Sequence, residues 1–254
     1  MIANYHTHTD RCRHAVGADE EYVKKAIERG LQILGFSDHT PQYFPGDYYS
    51  TMRMFPEELS GYCDTVRKLK ADYAGQLQIH LGVEAEYYPL TFQEMLLRLQ
   101  DAGVEYMILG QHWIGNEFDA PYSGTATEEQ DLKQYCDQVI AAMETGKFTY
   151  FAHPDIIGFI GDGKVYEQHI RRLCRASIDT RTPLEINFLG LAAGRRYPNE
   201  AFWQIAAEEG CQVVFGIDAH EPEAMVDLRP EELAKGIAQR CGITVLPTVP
   251  FKQL

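Results

Sequence analysis

The sequence has few basic residues and no long apolar segment. It contains 23 lysines and arginines against 37 aspartates and glutamates, which gives a formal net charge of −14 at pH 7. A negative field of this size repels nucleic acid, whose binding depends on lysine and arginine contacts to phosphates. No segment approaches the roughly 18 consecutive apolar residues of a membrane helix. We therefore expect neither a nucleic-acid partner nor a membrane partner.

Targeting signals and paired cysteines are also missing. The opening MIANYHTHTD has neither the basic region nor the apolar region of a signal peptide. None of the six cysteines forms a CxxC pair. These features favour reduced thiols and a cytoplasmic location. The sequence leaves the oligomeric state open.

Three common catalytic signatures do not occur. No GxGxxG motif follows the first predicted strand, and there is neither a P-loop nor a GxSxG motif. These absences argue against a Rossmann-type dinucleotide site, a P-loop nucleotide hydrolase and a serine nucleophile.

One pattern recurs along the chain: a short apolar run ends in polar residues, and an amphipathic stretch follows. The predicted strands are Ile2–His8, Ile33–His39, Leu77–Glu86, Tyr106–His112, Thr149–His153, Pro183–Asn187 and Gln212–His220. The predicted helices are Ala18–Arg29, Pro56–Tyr73, Phe92–Ala102, Thr127–Thr145, Tyr166–Thr180, Asn199–Glu209 and Pro230–Arg240. Alternating strands and helices predict parallel βαβ units. We expect one closed or nearly closed α/β barrel in a single domain over residues 1–254, with an open doubly wound sheet as the alternative and an extended tail over Ile243–Leu254.

Polar side chains stand at the ends of the predicted strands. They are His6, His8, Asp38, His39, Glu84, Glu86, His112, His153, Asp155, Asn187, Asp218 and His220. The carboxyl ends of parallel strands share one face of a barrel, the face that carries active sites. Converging acids and imidazoles are costly to bury without a cation, so we predict a metal site there. His80 and His169 lie away from this face and are interpreted as structural.

The number and type of these ligands indicate two or three divalent ions. One zinc ion takes about three or four protein ligands. Mixed imidazole and carboxylate ligands suit zinc, manganese and iron, and the sequence does not distinguish among them. Such ions lower the pKa of a bound water and polarise the bond to be broken. The predicted chemistry is hydrolysis of a phosphoester, an amide or a lactone.

Arginines near the same face are candidates for binding a phosphate group. Arg195 and Arg196 follow the sixth predicted strand, and the planar guanidinium matches the geometry of phosphate oxygens. Arg53, in an early loop, and Asn187, at the end of the sixth strand, complete the candidate substrate-binding residues.

The motifs at these positions resemble those of the PHP family, named for polymerase and histidinol phosphatase. They stand in the chain as YHTHTD, RHA, FSDHTP, GVEAEYY, LGQHW, FAHPD and GIDAH. The resemblance covers essentially the whole chain. It implies an irregular (β/α)7 TIM-like barrel with a trinuclear metal centre.

The resemblance also implies which residues bind each metal. The implied groups are His6, His8 and Asp218 for one ion, Glu84 as a bridge, His112 and His153 for the second ion, and His14, His39 and His220 for the third. His14 enters only through the resemblance, because it lies in the loop after the first strand. We predict direct catalytic roles for Glu84, His153 and Asp218.

Within the family, the chain is most similar to the monofunctional histidinol-phosphate phosphatases of histidine biosynthesis. The similarity rests on the length, on SDHTPQYFP followed by TMRMFPEEL, and on PLEINFLGL followed by RRYPN. The expected reaction converts L-histidinol phosphate and water to L-histidinol and phosphate, through in-line attack of a metal-bridging hydroxide on phosphorus. The spacing leaves open which of Arg195 and Arg196 contacts phosphate.

Other functions remain as alternatives at this point. A PHP phosphoesterase of another small phosphomonoester would keep the fold and change only the substrate. A barrel amidohydrolase also begins with HxH, but Glu84 on the third strand and the late Asp-x-His pair argue against it. A nuclease or proofreading role conflicts with the acidic charge. A metal-binding protein without activity is the non-enzyme alternative.

Overall fold

Short parallel strands alternate with helices along the chain. The computed structural model describes residues 1–44 and 46–254. Its strands are β1 (Ala3–Asn4), β2 (Ile33–Phe36), β3 (Gln78–Ala85), β4 (Tyr106–Leu109), β5 (Leu184–Asn187) and β6 (Val213–Gly216). Its α-helices are α1 (Asp19–Arg29), α2 (Leu59–Asp72), α3 (Phe92–Asp101), α4 (Glu129–Glu144), α5 (Gly163–Asp179), α6 (Phe188–Ala192), α7 (Glu200–Glu209) and α8 (Arg229–Cys241).

The strands form an irregular TIM-like barrel. β1 to β4 make a parallel sheet in chain order, and β5 pairs in parallel with β6. The predicted strand at 149–153 is reduced to one bridging residue, Phe151, which pairs with β4 on one side and β5 on the other. A parallel bridge between Thr7 and Ala219 joins the first and last strand positions. The predicted α/β barrel is therefore confirmed, with very short strands.

Local capping chemistry sets the helix boundaries that the sequence patterns missed. The predicted start of a helix at Thr127 is wrong: the N-cap of α4 is Glu128, and its backbone N–H donates to the Asp131 carboxylate at 3.4 Å. α5 begins before the predicted Tyr166 because the Asp162 side chain accepts a first-turn backbone N–H at 2.7 Å. Both differences arise from acidic side chains that satisfy free N–H groups.

Aromatic residues fill the barrel at the end opposite the polar strand ends. The rings of Tyr106 and Phe251 stack with centroids 4.5 Å apart, and the Tyr106 hydroxyl donates to the Tyr5 carbonyl at 2.8 Å. Phe251 belongs to the segment predicted as an extended tail, which a parallel bridge between Val213 and Val245 attaches to β6. These aromatic side chains close one end of the barrel, and the polar groups lie at the other end.

The outer layer of the core lies between the strands and the helices. α1 buries Tyr22, Val23 and Ala26, and the Trp203 ring of α7 is fully buried. Amphipathic helices that cover a parallel sheet in this way explain the period of the apolar residues. Within the described ranges, no helix is both long and apolar enough to span a membrane.

Candidate metal centre

The predicted ligands converge at the carboxyl ends of the strands. Those buried there are His6, His8, His39, Glu84, His153 and Asp218. His112 and His220 are half-buried, and His14 lies exposed at the rim. The barrel thus brings together residues that are more than 200 positions apart in the chain.

Two carboxylates face the imidazoles that follow β1. Asp218 Oδ1 lies 3.3 Å from His6 Nε2 and 3.2 Å from His8 Nε2. Glu84 Oε2 lies 3.6 and 3.4 Å from the same two nitrogens. The four side chains therefore direct their polar atoms into one small space.

These facing atoms have no hydrogen-bond partner among residues 1–44 and 46–254. His6 Nε2, His8 Nε2, Glu84 Oε2 and Asp218 Oδ1 are all buried and unpartnered. Leaving a buried polar atom unsatisfied costs about 1–3 kcal/mol. Imidazole nitrogen and carboxylate oxygen are the donors that zinc and similar divalent ions take. The four atoms therefore fit a metal ion.

The second oxygen of Glu84 faces another pair of imidazoles. Glu84 Oε1 lies 2.9 Å from His153 Nε2 and 3.8 Å from His112 Nε2. The two rings lie with their centroids 4.9 Å apart. Glu84 Oε2 also lies 3.0 Å from His39 Nδ1. Because its two oxygens face different sets of imidazoles, Glu84 has the geometry to bridge two ions.

A third group of potential ligands lies at the rim. The His14 ring is 4.8 Å from the His220 ring and 5.3 Å from the His39 ring. The ligand atoms of Cys12, His14 and His220 lie within 4.8 Å of one another. Burial acts to raise the pKa of Cys12, but hydrogen bonds with His14 and His8 lower it. We did not predict Cys12, although its position two residues before His14 was a usable signal.

Local backbone and packing features hold these side chains in place. His153 and Asp218 adopt positive φ angles of 34° and 56°, a region that costs non-glycine residues of order 1 kcal/mol or more. Gly110 is the residue after β4, and a Cβ added to it would lie 1.7 Å from Glu84 Oε1. A glycine there leaves the space that the Glu84 carboxylate occupies. These features position ligands at some cost in stability.

The charge states of the central groups are set by their neighbours. Burial acts to raise the pKa of Glu84 and Asp218, but the surrounding imidazoles outweigh it and hold both pKa values well below the ordinary range. Both groups are therefore carboxylates at neutral pH. Burial, together with the charge of His8, lowers the pKa of His220 to about 3. His220 is thus a neutral imidazole, the form that binds metals.

A cavity of about 440 Å³ opens over the cluster, a size suited to a small molecule. Its walls beyond the predicted ligands are Met52, Glu86, Trp113, Tyr122, Leu189, Arg195 and Tyr197. The Arg195 guanidinium donates to the Tyr197 hydroxyl, and its carbon lies 5.7 Å from the centre of that ring. Arg195 is therefore held at the wall of the cavity with further N–H donors available.

The structure does not bring Arg53 into this cavity. Its guanidinium is buried, with two hydrogen bonds to Glu86 and two to Glu117. A fifth goes to the carbonyl of Thr40 at 3.1 Å. A guanidinium has five N–H groups, so none remains for a phosphate. Glu86 also lies 3.0 Å from Nδ1 of His112. The hydrogen bonds between Arg53 and Glu86 therefore help to hold His112, one of the predicted metal ligands.

Arg196 and Asn187 also lie outside the cavity wall. Arg196 donates to the Gly158 carbonyl at 3.0 Å. Asn187 donates to Glu185 and Asp218 at 2.9 and 3.0 Å, and its side-chain oxygen caps α6, a helix that we did not predict. Its polar atoms are therefore used within the protein.

Similarity to known proteins agrees with this site. The family model described as PHP domain matches residues 4–188. The chain belongs to the PHP family. The resemblance seen in its motifs is thereby confirmed.

Two relatives match most of this chain. A Deinococcus radiodurans protein named probable histidinol-phosphatase is 32% identical, over 96% of this chain and 95% of its own. The histidinol-phosphatase of Bacillus subtilis is 25% identical, over 85% of this chain and 92% of its own. The crystal structure of a Lactococcus lactis histidinol phosphate phosphatase, complexed with zinc, L-histidinol and phosphate, aligns with a TM-score of 0.76 at 20% identity, covering 98% of this chain and 96% of that one. This last similarity supports the fold.

Proposed function

We propose that the protein is a metal-dependent phosphatase that converts L-histidinol phosphate and water to L-histidinol and phosphate in histidine biosynthesis. The observation that carries the proposal is the convergence of unpartnered atoms from His6, His8, Glu84 and Asp218 beneath a cavity that Arg195 lines. The names of the PHP relatives support the choice of substrate. Residues 1–254 act as one catalytic domain, which we place in the cytoplasm.

The proposed cofactors are two or three zinc, manganese or iron ions. His6, His8 and Asp218 would bind the first ion, and Glu84 would join it to a second ion beside His112 and His153. The third group is His14, His39 and His220. Bound divalent ions would supply a water of lowered pKa and polarise the phosphoryl oxygens.

The protein's own groups orient the substrate in this proposal. Glu84 and Asp218 stay ionised and hold their places between the imidazoles, so that little rearrangement accompanies the reaction. The guanidinium of Arg195, held by Tyr197, binds the outer phosphate oxygens and stabilises their negative charge. His153, whose ring centre is 5.8 Å from that of Tyr197, connects the ligand cluster to this wall.

The test is phosphate release from L-histidinol phosphate by protein loaded in turn with manganese, zinc and iron. p-Nitrophenyl phosphate serves as the generic comparison. We expect saturable release with kcat/KM at least about 100-fold above the generic substrate, and its loss with a chelator. Activity on the generic substrate alone would keep a PHP phosphatase but contradict the proposed substrate.

A further inference from the structure

Glu185 is a buried carboxylate beneath the proposed metal centre. It lies in β5, and its side chain has no exposed surface. Among the described residues, no lysine or arginine forms an ion pair with it, and its single ion-pair contact is to His6. A carboxylate buried without a lysine or arginine partner is costly, so its presence calls for a reason other than stability.

The two oxygens of Glu185 contact two of the proposed metal ligands. Oε1 lies 2.9 Å from His6 Nδ1. Oε2 accepts the backbone N–H of His153 at 3.1 Å. Oε2 also accepts from Asn187 at 2.9 Å, and the same amide nitrogen donates to Asp218 at 3.0 Å. One carboxylate thus connects three ligands that come from different strand positions.

The contact with His6 decides which ring nitrogen faces the cluster. A carboxylate at Nδ1 keeps the hydrogen on that nitrogen, so Nε2 is the nitrogen that would give up its proton and offer a lone pair when His6 binds a metal. Nε2 is the unpartnered atom that points toward Asp218 and Glu84. A carboxylate behind a metal-binding histidine fixes the ring and makes its free nitrogen a stronger donor.

The space for this carboxylate is provided by the neighbouring strand. A Cβ at Gly216, in β6, would stand 1.7 Å from Glu185 Oε1. The arrangement repeats the one at Gly110 and Glu84, where the distance is also 1.7 Å. At His112 the corresponding carboxylate is Glu86, but there Arg53 neutralises it.

We infer that Glu185 is a positioning residue that orients His6 and the His153 backbone for metal binding and adds negative charge behind the centre. This inference rests on the proposed metal ligands. The contacting groups at Glu185 are otherwise neutral donors, so its charge is available to a cation bound by His6. Its contribution is to the affinity for metal and not to contact with substrate.

The test compares metal binding by the wild type and by Glu185→Gln. The amide of the variant has one oxygen and one NH2 group. In one orientation the NH2 group faces the N–H of His153, and in the other it faces His6 Nδ1. We expect the metal concentration for half-maximal loading, measured against a competing chelator, to rise about 10- to 100-fold. The KM for L-histidinol phosphate at saturating metal should change by less than about twofold.

The matched control is Glu105→Gln. Glu105 Oε2 lies 2.7 Å from Nδ1 of His80, a similar carboxylate–imidazole pair at the other end of the barrel. We expect its metal affinity to equal that of the wild type. Thermal unfolding with and without metal gives a second readout: relative to the wild type, Glu185→Gln should lose more stability in the metal-loaded state than in the metal-free state.

The outcomes separate this inference from the proposed function. A wild type that binds no metal would contradict both. A wild type that binds metal, with Glu185→Gln binding within twofold of it, would overturn the role of Glu185 alone, as would an equal loss of stability with and without metal. If Glu185→Gln does not fold, Glu185→Asp, which withdraws the carboxylate by one methylene, is measured with the same expected loss of affinity.

Discussion

Replacing Arg53 by methionine gives a sharp test of the buried charge network beside the metal centre. The side chains of Arg53, Glu86 and Glu117 are each at most 2% exposed. The Arg53→Met change keeps much of the apolar volume but removes the cation that both carboxylates share. Five hydrogen bonds are lost at once.

The expected cost follows from leaving buried charge unpaired. Removing one partner of a buried ion pair destabilises proteins by about 3–5 kcal/mol. Typical domains have a total free energy of unfolding of about 5–15 kcal/mol. Arg53→Met should therefore lose a large share of its stability at pH 7. Adding Glu117→Gln removes one stranded charge and should recover about 1–2 kcal/mol.

Urea unfolding at pH 7, followed by circular dichroism, measures both variants. Arg98→Met is the control, because Arg98 pairs with Glu94 on the exposed face of α3, where solvent screens the pair and its loss should change stability little. A loss below about 1 kcal/mol for Arg53→Met, or no recovery in the double variant, would refute the reasoning. Either result would reopen the contact between Arg53 and phosphate that the sequence predicted.

Three further predictions concern the phosphate-binding arginine, the space beside Glu84 and the charge of Glu105. Arg195→Ala should lower kcat/KM for L-histidinol phosphate about 100-fold, whereas Arg196→Ala should stay within about threefold in the same steady-state assay. Gly110→Ala should lower turnover and metal content together, whereas Gly61→Ala, whose added Cβ meets no atom within 4 Å, should leave both unchanged. Partial burial acts to raise the pKa of Glu105, but hydrogen bonds from an imidazole and a lysine lower it to about 2. Its stabilising effect is therefore present above the ordinary pKa of 4.5 and is lost as the pH falls toward 2, so the stability difference between wild type and Glu105→Gln in urea titrations should shrink over that window.

Much of the site could be predicted because the residues at the carboxyl ends of parallel strands lie on one face of the barrel. The positions of His6, His8, Glu84 and Asp218 at predicted strand ends were sufficient to expect their convergence. The extent of the predicted strand at 149–153 was harder to predict, since of these residues only Phe151 pairs with the neighbouring strands. The apolar segment at 149–153 was nevertheless placed correctly, between β4 and β5.

Residues in loops were harder to place, because their partners come from distant segments. Arg53 looked like a phosphate ligand, but Glu117, which follows it by 64 positions, binds the same guanidinium. Arg195 and Arg196 are adjacent and chemically equal, so only the path of the chain after α6 separates them. Glu185 reads in sequence as a strand residue among apolar neighbours, and no local pattern shows the imidazole across the barrel.

The most direct test of the central claim is phosphate release by wild type and His153→Ala, with bound metal counted in the same samples. We predict that wild-type release from L-histidinol phosphate requires metal and stops with a chelator, and that His153→Ala is slower by at least about 100-fold while remaining folded. Undiminished turnover by His153→Ala at equal metal content, or full activity in metal-free wild type, would contradict the account.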